Sequence, residues 1–218
     1  STVFRENGDF YRQIPAESVE YFNNALFIGD SRTYGLVEHG SLDENATFFA
    51  RESMSIYDLD EMTMEPIVPG GFLPEQTLEN LLSHNSYGKV YICVGVNELG
   101  TGNTVTFYNA YVSLIEKIRH YQPEAIIYVQ GIMHVSEKKG SRDATYNNTN
   151  IIDKNKAIAT LANGHDIFYL DMNETVCDEN GNLRSDLTND GVHLEAQYYV
   201  IWEDYIKAHV IYRNEKDR

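Results

Sequence analysis

The sequence predicts an α/β protein, a three-layer α/β/α sandwich around a five-stranded, mainly parallel sheet. Short β-rich runs alternate with stretches of helical periodicity, the pattern of successive βαβ units. Several of those runs are apolar at consecutive positions, as expected of strands covered by helices on both faces. The 218 residues contain no internal repeat, low-complexity tract or linker. A single domain over residues 1–218 with one core is therefore expected, burying roughly 70% of the unfolded chain's surface. Its N-terminal stretch, to about residue 20, reads as a peripheral extension.

The strands are ALFIG (25–29), ATFFA (46–50), KVYICVG (89–95), AIIYVQGI (125–132) and DIFYLDM (166–172). Residues 74–84, PEQTLENLLSH, open with Pro and an acidic residue, which suit a helix N-terminus, and place Leu78, Leu81 and Leu82 at helical spacing. Residues 105–121 align Phe107, Tyr111, Leu114, Ile115 and Ile118 in a stripe that the Gln122-Pro123 step ends. Residues 149–163 carry Ile151, Ile152, Ile158 and Leu161 up to a stop at Gly164. The last helix is expected over 195–212, presenting Tyr199, Trp202, Ile206 and Val210. Stripes of this kind pack a core and need no functional explanation. Two connections, 60–76 and 134–150, have the length at which loops wall or cover sites. A mostly parallel sheet places ligands in the crevice at the carboxyl ends of its strands.

The formal charge of −16, with only 17 scattered Lys and Arg, argues against nucleic acid or an anionic membrane as the main partner. Two cysteines, Cys93 and Cys177, make neither a disulfide framework nor a four-cysteine metal site, and both are expected free. No run approaches the roughly 18 apolar residues of a membrane span, and no signal peptide is visible. The chain opens at Ser1 without an initiator methionine, which gives the expectation of a trimmed leader or anchor and an extracytoplasmic or cell-envelope setting, with the cytoplasm as the alternative.

Ser31, in LFIGDSRTYGL, follows the first strand at its carboxyl end, where the crevice is expected. A helix starting there offers free N–H groups and a positive dipole to a developing oxyanion. A serine at that junction is equally a helix N-cap. A nucleophilic serine needs a base, and TNDGVHLEAQYY supplies Asp190 and His193, three apart in a polar turn, so that the carboxylate could hold the ring. Asn97, in the turn GVNELG after the third strand, offers an amide donor for an oxyanion, or else satisfies the turn's own backbone. His134 lies just past the fourth strand at the same crevice; the other five histidines sit on or beside helical patterns and read as solvent-facing. No Gly-x-Ser-x-Gly elbow, Gly-x-Gly-x-x-Gly, phosphate loop or His-Glu-x-x-His occurs. DENGNLRSD at 178–186 faintly evokes a calcium loop, but Asn180-Gly181 reads better as a β-turn.

In this order, IGDSR, GVNE and DGVH resemble the blocks of the SGNH, or GDSL-like, hydrolase family, over about residues 25–205. The resemblance implies that family's flavodoxin-like architecture and a serine esterase with Ser31 as nucleophile, His193 as base and Asp190 as its orienting acid. It also implies an oxyanion hole from the Ser31 N–H, the Ser53 N–H and the Asn97 amide. Ser53, in ARESMSIYDL, stands where the family has a glycine, and donates equally well unless the position needs positive φ. Glu98 replaces the family's Asp after Asn97, and reads as bracing the turn more than as doing chemistry. Arg32, Glu98 and His134 are the further candidates for lining a substrate. The family requires no metal or cofactor. The substrates it implies are esters of small molecules or glycans, and Tyr-, Asn- and Thr-rich loops favour deacetylation of carbohydrate over a lysophospholipase-like or broad short-chain esterase. A glycan-binding module on the same fold, without turnover, is the non-enzymatic alternative.

Overall fold

The five expected strands all form, and they run parallel to one another. The computed structural model describes residues 2–6 and 9–213. In chain order the elements begin with β1 (Thr2–Glu6), β2 (Asp9–Ile14), β3 (Ala25–Gly29), α1 (Ser31–His39) and β4 (Thr47–Ala50). Four two-residue strands follow, β5 (Thr63–Met64), β6 (Ile67–Val68), β7 (Gly71–Phe72) and β8 (Gln76–Thr77), then α2 (Leu78–His84), β9 (Lys89–Cys93), α3 (Thr104–Tyr121) and β10 (Ile126–Gln130). The chain closes with α4 (Glu137–Gly140), α5 (Asn148–Ala159), β11 (Ile167–Leu170), α6 (Asn173–Val176), α7 (Tyr199–Ala208) and β12 (Val210–Tyr212).

The central sheet runs β11-β10-β9-β3-β4-β6-β7. Its first five strands are parallel throughout. β6 and β7 add a small antiparallel hairpin at one edge, so the sheet has seven strands and not five. Both extra strands lie in the 60–76 connection, where Gly70 turns the chain at φ +81°. Two residues are too few to display a period of two; pairing of Ile67 with Phe48 makes the strand, not local pattern.

Consecutive apolar residues in the strands do serve two faces. Leu26, Ile28, Val90, Ile92, Ile127 and Val129 face one core cluster with residues of α2, α3 and α5. Phe27, Phe48, Tyr91 and Tyr128 face the other, with Leu36 of α1 and Trp202 and Ile206 of α7. On that second face the register pairs Phe48 with Phe27, Phe27 with Tyr91 and Tyr91 with Tyr128. Their rings stack at 4.7, 4.5 and 4.2 Å between centroids. A one-residue slip would send these rings to the opposite face, so the stack locks the register and aligns the carboxyl ends of β3 and β9.

Four helix boundaries differ from the expectation; the helix read to residue 163 ends, as α5, at Ala159. Residues 74–77 are not helical: Thr77 is the cap of α2, its hydroxyl accepting the Asn80 N–H at 3.2 Å. The last helix begins at Tyr199 after a 3-10 turn over Ala196–Tyr198 and stops at Ala208. Val210–Tyr212, read as its end, form β12, which pairs antiparallel with β2. β1 and β2 thereby make a three-stranded sheet with the C-terminal segment, so the N-terminal extension is stitched to the other end of the chain. The competing principle is β-propensity: Val210 and Ile211 gain more from a ladder and from full burial than from another helical turn.

Cys93 and Cys177 are both free. At 178–182 the chain makes a β-turn, with the Gly181 N–H donating to the Asp178 carbonyl at 3.0 Å and Gly181 at φ +78°. Among the described residues no helix is long and apolar enough to cross a membrane.

Candidate active site

The strand-to-helix turn after β3 divides its labour among three consecutive residues. Asp30 is the N-cap of α1, its carboxylate accepting the Arg32 N–H at 3.0 Å. Ser31 is consequently the first helical residue and not the cap, and its hydroxyl is left to face the site. Arg32 is 1% exposed, and its guanidinium donates to the Val192 carbonyl from Nε and Nη2 at 3.1 and 2.9 Å and to the Met133 carbonyl from Nη1 at 2.7 Å. Arg32 therefore lines no substrate site; it ties the nucleophile turn to the loop that carries His193.

That loop is built by Asp190. Its Oδ1 accepts the N–H groups of Val192 at 2.7 Å and His193 at 2.8 Å, and its Oδ2 lies 2.7 Å from His193 Nδ1. Gly191, at φ +80° with Ser136 Oγ 2.5 Å from where a Cβ would stand, lets the turn close. Desolvation pushes Asp190 up, but the bonds from the His193 N–H, the His193 ring and the Val192 N–H outweigh it and hold the carboxyl at about 2. Asp190 is thus an anion at neutral pH and accepts the Nδ1 proton, so that Nε2 is the ring nitrogen left to meet the serine. Nε2 lies 2.9 Å from Ser31 Oγ. Serine, imidazole and carboxylate form a continuous hydrogen-bonded line.

The anticipated oxyanion donors are arranged less simply. Among the described residues the Ser31 N–H has no hydrogen-bond partner, as befits a first helical residue. Asn97 borders the same cavity as Ser31, but its Nδ2 donates to the carbonyls of Glu52 at 3.1 Å and Met54 at 2.8 Å. It grips the backbone on either side of Ser53, so both amide hydrogens are engaged. Ser53 itself is exposed, and its Oγ accepts from Arg51 Nε at 3.0 Å. Glu98 is fully buried, with Oε1 accepting the Ile56 N–H at 2.5 Å, and so braces the same loop and touches no substrate. His134 is also excluded from the cavities at Ser31: its Nδ1 lies 2.5 Å from the Gly181 carbonyl, and its N–H donates to Asn173 Oδ1 at 2.8 Å.

Ser31 and His193 sit between two cavities. One of about 160 Å³ is bounded by Val96, Asn97, Lys139, Tyr146 and Val192. The other, about 260 Å³, is bounded by Tyr34, Glu38, His39, Glu52 and Tyr199. His39, expected to face solvent, lies in that second wall 5.3 Å from the Tyr199 ring. Apart from Asn97, none of these wall residues carries a local signature; only Tyr146 and Lys139 fall in a loop whose length marked it. Among the described residues no cluster of His, Cys, Asp and Glu could hold a metal ion.

Residues 27–201 match the model of the GDSL-like lipase/acylhydrolase family. The chain belongs to that family. This GDSL-like acylhydrolase is a serine hydrolase acting on esters. Solved structures of similar fold include a GDSL-like lipase from Bacteroides thetaiotaomicron, with a TM-score of 0.64 at 20% identity over 88% of this chain and 89% of that one. A carbohydrate esterase family 3 protein from Talaromyces cellulolyticus gives 0.55 at 16% identity, over 84% and 93%. An acetyl esterase solved as a mutant with an acetate ion gives 0.55 at 15% identity, over 84% and 94%. No curated protein sequence matches the chain.

Two predictions test how the acylhydrolase holds its site. Arg32→Lys removes the forked donor, and a displacement of His193 of about 1 Å lowers kcat about 10²-fold; the rate of Ser31 labelling by a fluorophosphonate falls in parallel. Unchanged labelling would show that the guanidinium does not position the loop. Burial pushes Glu98 up to about 7 from its ordinary 4.5, so the folded state favours the protonated acid. The stability this contributes is complete below about pH 4.5 and is lost as pH rises through 7, by at most about 3 kcal/mol. Glu98→Gln keeps an acceptor for Ile56 and cannot ionise. Urea unfolding should find it more stable than wild type at pH 8 and flatter between pH 4.5 and 7.

Proposed function

We propose that the protein is an esterase that removes short acyl groups, acetyl foremost, from carbohydrate through an acyl-enzyme. The observation that carries this reading is the line Asp190–His193–Ser31, at 2.7 and 2.9 Å, opening between two small cavities. His193 Nε2 takes the Ser31 proton as Oγ attacks the ester carbonyl, and the tetrahedral oxyanion draws on the Ser31 N–H at the start of α1. The Ser53 N–H and the Asn97 amide complete the hole. Asn97 exchanges its longer bond, to the Glu52 carbonyl, for one to the oxyanion. The imidazolium, stabilised by Asp190, then returns the proton to the departing alcohol oxygen. Water, activated by the same ring, attacks the acyl-enzyme and releases the acid and Ser31.

The acyl preference rests on size. Neither cavity reaches the roughly 300 to 1,000 Å³ of pockets that enclose drug-sized ligands. The carbohydrate preference rests on the Tyr34, Tyr199, Tyr146, Glu52 and Asn97 walls, which pair aromatic faces with hydrogen-bonding groups. The carbohydrate esterase and the acetyl esterase of similar fold are in keeping with both.

In a series of acetyl, butyryl and octanoyl esters, kcat/KM should be highest for acetyl. Ser31→Ala should lose fluorophosphonate labelling and at least about 10³-fold in kcat. Persistent turnover in Ser31→Ala would remove the nucleophile assignment, and preference for octanoyl would replace the deacetylase with a lysophospholipase-like enzyme. Glycan binding without turnover of any ester would leave a recognition module.

A further inference from the structure

The two flanks of Ser31 carry opposite charge. The 260 Å³ cavity presents Glu38 and Glu52. On the other side Lys139 is a shared wall: it bounds the 160 Å³ cavity with Ser31 and His193, and also a larger cavity of about 410 Å³. That larger cavity is bounded by Lys138, Lys139 and Arg142 on one side and by polar groups of Ser185, Thr188 and Asn189 on the other. Three of the 17 basic residues of a chain with net charge −16 thus gather within five positions beside the triad. The two carboxylates in the same wall are already engaged. Asp143 accepts the N–H groups of Thr145 and Tyr146 and, at 2.9 Å, the Lys139 ammonium. Asp190 accepts from His193 and Val192. Lys138 and Arg142 are exposed, and among the described residues their side chains have no ion-pair partner.

We infer that the alcohol part of the substrate carries an anionic group, a carboxylate or a phosphate, which the Lys138–Arg142 segment receives in the 410 Å³ cavity while the ester lies at Ser31. The inference rests on the esterase reading above and adds the class of alcohol. The leaving oxygen must stay beside His193, and Lys139, which bounds both the cavity at His193 and the basic cavity, places the two side by side. An anion placed the other way would face Glu38 and Glu52, so the field across the site selects one orientation. The Lys139–Asp143 pair and the Lys139 ammonium 5.3 Å over the Tyr146 ring hold this wall in place, leaving Lys138 and Arg142 to meet the ligand.

The test compares acetylated methyl glucoside, acetylated methyl glucuronide and acetylated glucose 6-phosphate at low ionic strength. At least one anionic ester should show a KM about tenfold below that of the neutral one, and added salt should shrink the difference. Which of the two gains more identifies the anion as carboxylate or phosphate. Lys138→Gln combined with Arg142→Gln, both on the surface, should abolish the anionic advantage in KM, and Lys138→Arg with Arg142→Lys should restore it. Equal KM values for charged and neutral esters, or a double variant that leaves the ratio untouched, would overturn the inference. Calorimetry with Ser31→Ala separates it from the esterase reading: methyl glucuronide or glucose 6-phosphate should bind more tightly than methyl glucoside whether or not any ester turns over. Absence of that preference overturns the anion site alone, whereas absence of turnover and of Ser31 labelling overturns the esterase alone.

Discussion

The arrangement depends on a buried guanidinium. Arg32 lies one residue after Ser31, and its three nitrogens hold the carbonyls of Val192 and Met133. Ser31 and His193 are 162 positions apart, yet the carbonyl of the residue preceding His193 is fixed to the side chain following Ser31. A planar fork with five donors suits this task, since one group satisfies two carbonyls that would otherwise be buried without partners. Asp30 supplies a nearby negative charge and the cap. Burial pushes its carboxyl up, with Arg32 opposing that shift. Three successive side chains therefore cap the helix, face the ester and anchor the base.

The sheet determines where that triplet stands. The ring stack from Phe48 through Phe27 and Tyr91 to Tyr128 fixes the strands in register, so Gly29 and Cys93 end level with one another. From those two ends come the Ser31 turn and the Asn97 turn. Asn97 and Glu98 then reach across to the loop after β4 by different means: Asn97 through carbonyls, and Glu98 through the Ile56 N–H. One Glu98 oxygen is buried without a partner, which fits a carboxyl whose ionised form the fold disfavours. The site is thus braced mostly by backbone contacts, which fix loop shape while leaving the walls free to differ in charge.

Much of the fold was legible because both relevant signals are local. Five apolar runs and the helices between them declare themselves by period, and short signatures around Ser31, Asn97 and Asp190-x-x-His193 mark their turns. The short strands Ile67–Val68 and Gly71–Phe72 were not legible, since they exist only through pairing with β4. Val210–Tyr212 was misread because its helical stripe and its strand propensity coincide, and a partner at the other end of the chain decides between them. Arg32 and Glu98 looked like site residues by adjacency, but an interior position depends on what packs around a side chain, which sequence neighbours do not report.

By itself the sequence determined the layered parallel sheet, the order of the chemical residues along it and the class of chemistry they suit, because alternation, caps and turn residues act within a few positions. Only the tertiary structure decided that Asp30 is the cap and Ser31 the free hydroxyl. It also decided that Asn97 spends its amide on the neighbouring loop, and that Glu38 and Glu52 face one side of Ser31 while Lys138, Lys139 and Arg142 gather on the other. Those outcomes turn on distances between segments far apart in the chain, which close only when the core has brought the strand ends together.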